Sequence, residues 1–255
     1  MKLIFLGTGS AFTVDNNFHS NMILENDEGQ RLLIDCGSDA RHSLHQLGLT
    51  YKDITDVYIS HLHADHAGGL EWLGFTHKFD STCNKPNLYI SETLEQSLWQ
   101  HTLSGGMRSI KEYQSDLATY FDVHAISTKV NKFRWANCEF ALVQTIHIYD
   151  YHDLIPCFGL FFKANNKTIF ITADTTFIPD TLDKYYQQAD IIFHDCETSH
   201  YRSSVHAHFD DLKTLPLAYK KKMWLYHFNP GQLPNAEAEG FNGFAHPAQI
   251  FDFNK

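Results

Sequence analysis

Asp56-Val57-Tyr58-Ile59-Ser60-His61-Leu62-His63-Ala64-Asp65-His66 decides how this 255-residue chain is read. The apolar run Val57–Ser60 has the character of a strand. It empties into a loop, His61–His66, that holds three imidazoles and a carboxylate. Neutral imidazole together with carboxylate suits Zn²⁺, Mn²⁺ or Fe, whereas Ca²⁺ takes oxygen ligands. Four ligands on so short a loop exceed what one ion readily takes, so the spacing points to two adjacent ions. With 17 histidines some clustering arises by chance, but an HxHxDH cluster at the end of a strand seldom does.

Composition narrows the class. A hydrophobic fraction of 43% fits a globular chain with a real core, and the length is read as one domain over 1–255. No apolar run of about 18 residues is present, so no membrane span is expected. Met1–Gly7 carries one charge and too short an apolar run for a signal peptide, and it reads as a first strand. Cys36, Cys83, Cys138, Cys157 and Cys196 are odd in number and form no CxxC pair. They indicate a reducing cytoplasm, with neither a disulfide framework nor a cysteine zinc site. The net charge of −10 argues against grip on a long polyanion, which needs a basic stripe. Lys220-Lys221-Lys222 is the one basic cluster and reads as a solvated helix end. A small anion drawn to bound metal remains compatible.

Strand patterns recur along the whole chain, with helical patterns between them at Ala40–Leu47, Gly69–Leu73, Leu94–Leu103, Lys111–Leu117, Thr181–Gln188 and Asp210–Leu217. Asn165-Asn166 between two apolar runs is a tight hairpin signal. The expected class is mixed α/β, with sheets inside and helices outside. Polar residues close many of the strands: Asp35, His147, Asp174, Asp195 and His227. Each alone could be a turn or cap residue, but together with His61–His66 they suggest one sheet edge delivering a site. Gly7-Thr8-Gly9-Ser10 admits two readings, a tight turn or backbone amides approaching a phosphate.

These residues resemble the metallo-β-lactamase fold, in its phosphodiesterase branch that contains the tRNA-processing ribonuclease Z. The resemblance rests on Phe5-Leu6-Gly7-Thr8-Gly9-Ser10-Ala11, Leu33-Ile34-Asp35-Cys36-Gly37, His61–Leu70, Thr172-Ala173-Asp174-Thr175 and Tyr226-His227. It implies a four-layer αββα sandwich. It also implies two divalent ions, with zinc the first expectation and manganese or magnesium the alternatives. One ion would take His61, His63 and His147, the other Asp65, His66 and His227. Asp174 would bridge them, and Asp35 would orient a ligating histidine from behind. His152, five residues beyond His147, is the alternative third ligand. His206, partnered by Asp195, would protonate the leaving group, with His208 as the alternative.

The implied activity is metal-dependent hydrolysis of phosphodiesters. Only 27 residues separate His147 from Asp174 (174 − 147), and most of them are expected in the hairpin Phe158–Thr172. That leaves no room for the tRNA-gripping arm of ribonuclease Z, so stable tRNA binding is not expected. The size and motifs are most similar to the compact phage anti-Pycsar cyclic-nucleotide phosphodiesterases. That likeness implies opening of 3′,5′-cyclic nucleotides, cyclic pyrimidine mononucleotides such as cCMP and cUMP among them, to 5′-monophosphates. It also implies a homodimer in the cytoplasm, the host's if the chain is phage-encoded. Aromatics between His66 and His147, such as Trp72, Phe75, Tyr89 and Trp99, could stack on the base, although helix packing is the commoner role for any one of them. The competing functions are an RNA 3′-end endonuclease, a thioester or lactone hydrolase, and a protein that sequesters a nucleotide unchanged.

Overall fold

The computed structural model describes residues 1–14, 17–111 and 113–254. Among them, two seven-stranded mixed sheets lie face to face. The first runs Ile250–Asp252, Lys2–Phe5, Met22–Glu25, Arg31–Ile34, Asp56–Ile59, Asn87–Ser91, Asp122–Ile126. Its pairs are antiparallel up to Arg31–Ile34 and parallel beyond it. The second runs Gly243–Phe244, Met223–Tyr226, Ile191–Asp195, Lys167–Ile171, Asp153–Ala164, Cys138–Asp150, Lys132–Trp135. Here the first four strands are parallel and the rest antiparallel. Parallel central strands are covered on both faces and become continuously apolar. Asp56–Ile59, the strand feeding the histidine loop, is buried along its whole length.

An aromatic layer fills the space between the sheets. Phe5 of the first sheet meets Phe193 and Tyr226 of the second, with ring centroids 5.4 and 5.7 Å apart. Two hydrogen bonds also cross the seam. The Tyr58 hydroxyl donates to the Phe158 carbonyl at 2.8 Å, and the Phe158 amide donates to the Ser60 carbonyl at 3.1 Å. Helices cover the outside: Leu44, Leu73 and Leu94 join the core of the first sheet. Leu182 and Tyr186 of the helix Pro179–Gln188 pack with Phe170 and Ile192 on the second.

Several expected elements differ. The helix expected over Lys111–Leu117 is absent from its described part, and position 112 lies outside the described residues. Tyr113–Gln114 pairs with Ser109–Ile110 instead, and a helix begins only at Leu117, where the Asp116 carboxylate caps it. The expected helix Asp210–Leu217 divides into Phe209–Leu212 and Leu217–Lys220, because Pro216 cannot continue the first and opens the second. Asn165 takes φ 54° at the tight turn before Lys167, as the Asn-Asn signal indicated. The strands Asp122–Ile126, Lys132–Trp135, Gly243–Phe244 and Ile250–Asp252 went unread. The first two are edge strands with polar faces, and the others are too short to show a period.

Removing the Tyr58 hydroxyl would leave the buried Phe158 carbonyl without its donor. Tyr58→Phe is expected to lower the unfolding free energy by about 1–3 kcal/mol, read by denaturant titration, while metal content stays unchanged.

Candidate metal centre

The ends of four strands from both sheets converge on one point. His61 leaves Asp56–Ile59, His63 caps the short helix Ala64–Ala67, and Asp65 and His66 lie inside that helix. Asp174 follows Lys167–Ile171, Asp195 ends Ile191–Asp195, and His227 follows Met223–Tyr226. Three backbone turns here are left-handed at non-glycine residues: Asp35 at φ 62°, Ala173 at 52° and His227 at 63°. Such conformations persist only where the surroundings hold them, and they cluster at functional sites. Gly37 is required by close approach, since a Cβ there would meet the Asp65 carbonyl oxygen at 2.1 Å. The turn after Asp35 is thereby seated directly against the ligand helix.

His147 reaches the site differently from the sequence expectation. It does not close its strand, which runs on to Asp150. Pairing with Asp153–Ala164 instead shifts register between Thr145 and Ile148, and this bulge holds His147. Bulges re-aim side chains in this way. His152 is exposed at the hairpin tip and takes no part in the cluster.

The side chains form three overlapping groups. His61, His63, His147 and Asp174 make one, Asp65, His66, Asp174 and His227 the second, and Asp174, Asp195, His206 and His227 the third; within each, the ligand atoms lie within 4.8 Å of one another. Asp174 is common to all three. Its Oδ2 lies 3.7 Å from His61 Nε2, 3.6 Å from His147 Nε2 and 3.5 Å from His227 Nε2, while Oδ1 lies 3.4 Å from His66 Nε2.

The rear hydrogen bonds set which ring nitrogen faces inward. His147 Nδ1 donates to the Val205 carbonyl at 2.7 Å, so its Nε2 presents a lone pair. The Ser60 hydroxyl donates to Asp35 Oδ2 at 2.7 Å and accepts from His61 Nδ1 at 3.1 Å. His66 Nδ1 donates to the same Asp35 oxygen at 2.8 Å. Asp35 thus fixes both histidines, one directly and one through Ser60. His66 Nε2 and Asp174 Oδ1 are both buried without a hydrogen-bond partner. A lone pair facing two carboxylates, with Asp65 Oδ2 at 3.2 Å, calls for a cation between them. The residues therefore fit divalent metal. Burial pushes the His61, His63 and His147 imidazoles down toward the neutral form that ligates.

His206 stands at the edge of this cluster. Its Nδ1 donates to Asp195 Oδ2 at 2.8 Å, leaving Nε2 free. Burial disfavours the imidazolium, but the Asp195 and Asp174 carboxylates together more than offset it and raise the pKa. Asp195 also approaches His227 Nδ1 at 3.3 Å, so it stands behind two histidines and not one. His208 instead caps the helix Phe209–Leu212 and bonds the Ser199 carbonyl. A cleft over the cluster is lined by Ser10, Phe12, Glu197, Tyr201, Ser203, His206 and Asn229 together with the inner ligands.

Two readings that the sequence leaves open narrow here. The Thr8, Gly9 and Ser10 amides favour the turn reading, since they bond Asn17 Oδ1, the Phe18 carbonyl and the Phe228 carbonyl. The glycines serve packing, since a Cβ on Gly7 would strike the Phe18 carbonyl at 2.1 Å. The aromatics between His66 and His147 do not line the cleft, because Trp72, Phe75, Tyr89 and Trp99 pack against the core. The Ser60 relay and Glu197 escaped sequence reading, since nothing in their spacing announces contacts made across distant strands.

Known proteins resemble this chain over most of its length. The family model described as Anti-Pycsar protein Apyc1 matches residues 1–251. The chain is 38% identical over 231 residues to "Anti-Pycsar protein Apyc1" of Paenibacillus harenae, covering 89% of this chain and 90% of that one. It is 33% identical over 236 residues to the protein of the same name from Bacillus phage vB_BveM-Goe7, covering 89% and 88%. The crystal structure of the metallo-beta-lactamase fold protein YhfI from Bacillus subtilis superposes with TM-score 0.75 at 18% identity, covering 98% of each chain. The fold is therefore that of the metallo-β-lactamases, and the chain belongs to the Anti-Pycsar protein Apyc1 family.

Proposed function

We propose that this chain is a dinuclear metal-dependent phosphodiesterase that opens 3′,5′-cyclic nucleotides, cyclic pyrimidine mononucleotides among them, to 5′-monophosphates. The observation that carries the reading is His206, held by Asp195 with its Nε2 free beside a complete ligand cluster. A binding protein has no use for a buried carboxylate that orients an imidazole, with its Nε2 free, at the mouth of a metal site.

His61, His63 and His147 would hold one ion, Asp65, His66 and His227 the other, with Asp174 between them. Divalent ions there, zinc or else manganese or magnesium, supply Lewis-acid polarisation of the phosphoryl group and a water nucleophile at neutral pH. The chain does the rest. Asp35 and Ser60 lock the inward-facing nitrogens of His61 and His66, and Val205 locks that of His147. Asp195 Oδ2 holds the His206 proton at Nδ1 and raises the fraction charged, so Nε2 can donate to the departing sugar oxygen. Asp195 also braces His227, which couples the acid to the ligand set.

Size and charge favour a small substrate. The interval from His147 to Asp174 is taken up by the strands through Ile171. The basic run is spent on carbonyls: Lys220 Nζ on Lys213, and Lys222 Nζ on Tyr186 and Gln187. Stable tRNA binding is accordingly not part of the proposal. The family's name fits a cyclic nucleotide. A homodimer in the cytoplasm, with a phage-encoded member working in the host's, follows the same reading.

Incubation with a panel of 3′,5′-cyclic nucleotides and Zn²⁺, Mn²⁺ or Mg²⁺ is expected to yield 5′-monophosphates by chromatography. No turnover with any of these ions overturns the proposal. His206→Ala is expected to cut cyclic-nucleotide turnover by about 10²–10⁴-fold, and much less for bis(p-nitrophenyl) phosphate, whose leaving group needs no proton. Equal losses on both substrates would contradict the acid role. Metal is expected to raise the melting temperature, since it binds the folded state alone. His147→Ala should reduce that shift and His152→Ala should not; the reverse result would reassign the third ligand.

A further inference from the structure

Phe12 and Tyr201 are the two large aromatic residues on the cleft, and both are out of place for ordinary packing. Phe12 is 77% exposed and Tyr201 73% exposed, yet both line the same cleft as Asp65, Asp174 and His227. Among the described residues neither ring packs on another aromatic. An apolar ring left in water forfeits the transfer free energy that burial would supply. Other aromatics are exposed too, Tyr149 and Tyr151 among them, but only Phe12 and Tyr201 of the exposed rings line the cleft over the cluster.

Both rings project from anchored loops. The Phe12 turn is tied by the Ser10 amide to the Phe228 carbonyl at 3.0 Å, one residue beyond His227, and closed by the Thr13 amide to the Ser10 carbonyl. The Tyr201 loop folds around the buried Glu197. That carboxylate accepts from the Ser203 amide at 3.0 Å and from the Ser199 hydroxyl at 2.9 Å. The same loop goes on to Val205, whose carbonyl fixes His147, and to His206. The polar inner wall therefore suits a phosphate and sugar, while the two outer rings suit a flat, apolar-faced group attached to them.

We propose that Phe12 and Tyr201 are specificity-determining residues that grip the aromatic base of a nucleotide, the occupant being a nucleoside phosphate and not a bare phosphodiester. This deepens the phosphodiesterase reading and rests on it for the identity of the reaction. The argument for ring recognition itself comes from the placement of the two side chains.

The test compares equilibrium binding of cytidine 5′-monophosphate with that of ribose 5-phosphate, by calorimetry on the metal-loaded protein. Wild type is expected to prefer the nucleotide by about tenfold or more, the value of one stacked base. Phe12→Ala and Tyr201→Ala should each erode that preference to within a few-fold while leaving ribose 5-phosphate affinity, metal content and melting temperature unchanged. Tyr201→Phe should retain it. No preference in wild type, or an undiminished preference in both alanine variants, overturns the proposal. So does a shift of oligomeric state in the alanine variants with the preference intact, which would assign the rings to a subunit contact. Absence of cyclic-nucleotide hydrolysis with the binding preference intact would overturn the reaction and leave the base grip standing.

Discussion

Everything at the site hangs on the buried carboxylate of Asp35. It is 2% exposed and accepts from the Ser60 amide, the Ser60 hydroxyl and His66 Nδ1. Three donors on one desolvated carboxylate offset the cost of burying its charge. The same bonds stitch the end of Arg31–Ile34 to the end of its parallel neighbour, Asp56–Ile59. Strand alignment, loop conformation and histidine tautomer are therefore set by one group. Its left-handed backbone is the local cost of aiming the carboxylate inward.

The second sheet repeats this logic with different chemistry. Thr175 donates its amide to Asp195 Oδ2, which also accepts from His206 Nδ1, while Asp195 Oδ1 faces His227. The Thr145 hydroxyl donates to the Asp174 carbonyl at 2.8 Å and pins the residue shared by all three groups. Rigid strand ends, not mobile loops, hold the inner wall. The outer wall, carrying Phe12 and Tyr201, is loop throughout. Such a division lets the His and Asp cluster stay fixed while the outer segments tolerate change.

Much of this was legible in the sequence because metal ligands must sit on stiff backbone. His61–His66 follows an unmistakable apolar run, and Asp174, Asp195 and His227 each close a short hydrophobic strand, so pattern alone found them. His147 was found for a reason that the structure corrects. It sits at a bulge, and a bulge is a pairing event between two strands that neither strand's sequence displays. Phe12 was invisible because a lone aromatic in a polar turn looks like any other surface residue. The Ser60 relay was hidden likewise, since it depends on a side chain 25 positions away. Edge strands such as Lys132–Trp135 carry too few apolar positions for alternation to stand out.

The cluster draws its first histidine from position 61 and its last from position 227, a span of 166 residues (227 − 61). The nascent chain therefore exposes the His61–His66 loop long before the strand that carries His227 has been synthesised. Until both sheets have docked, the loop is an ordinary flexible chelator with no geometry to discriminate among ions. Selectivity for the right ion is thus a property of the finished tertiary structure. On the proposed function, metal loading would then come among the last events in this protein's maturation and would not start its folding.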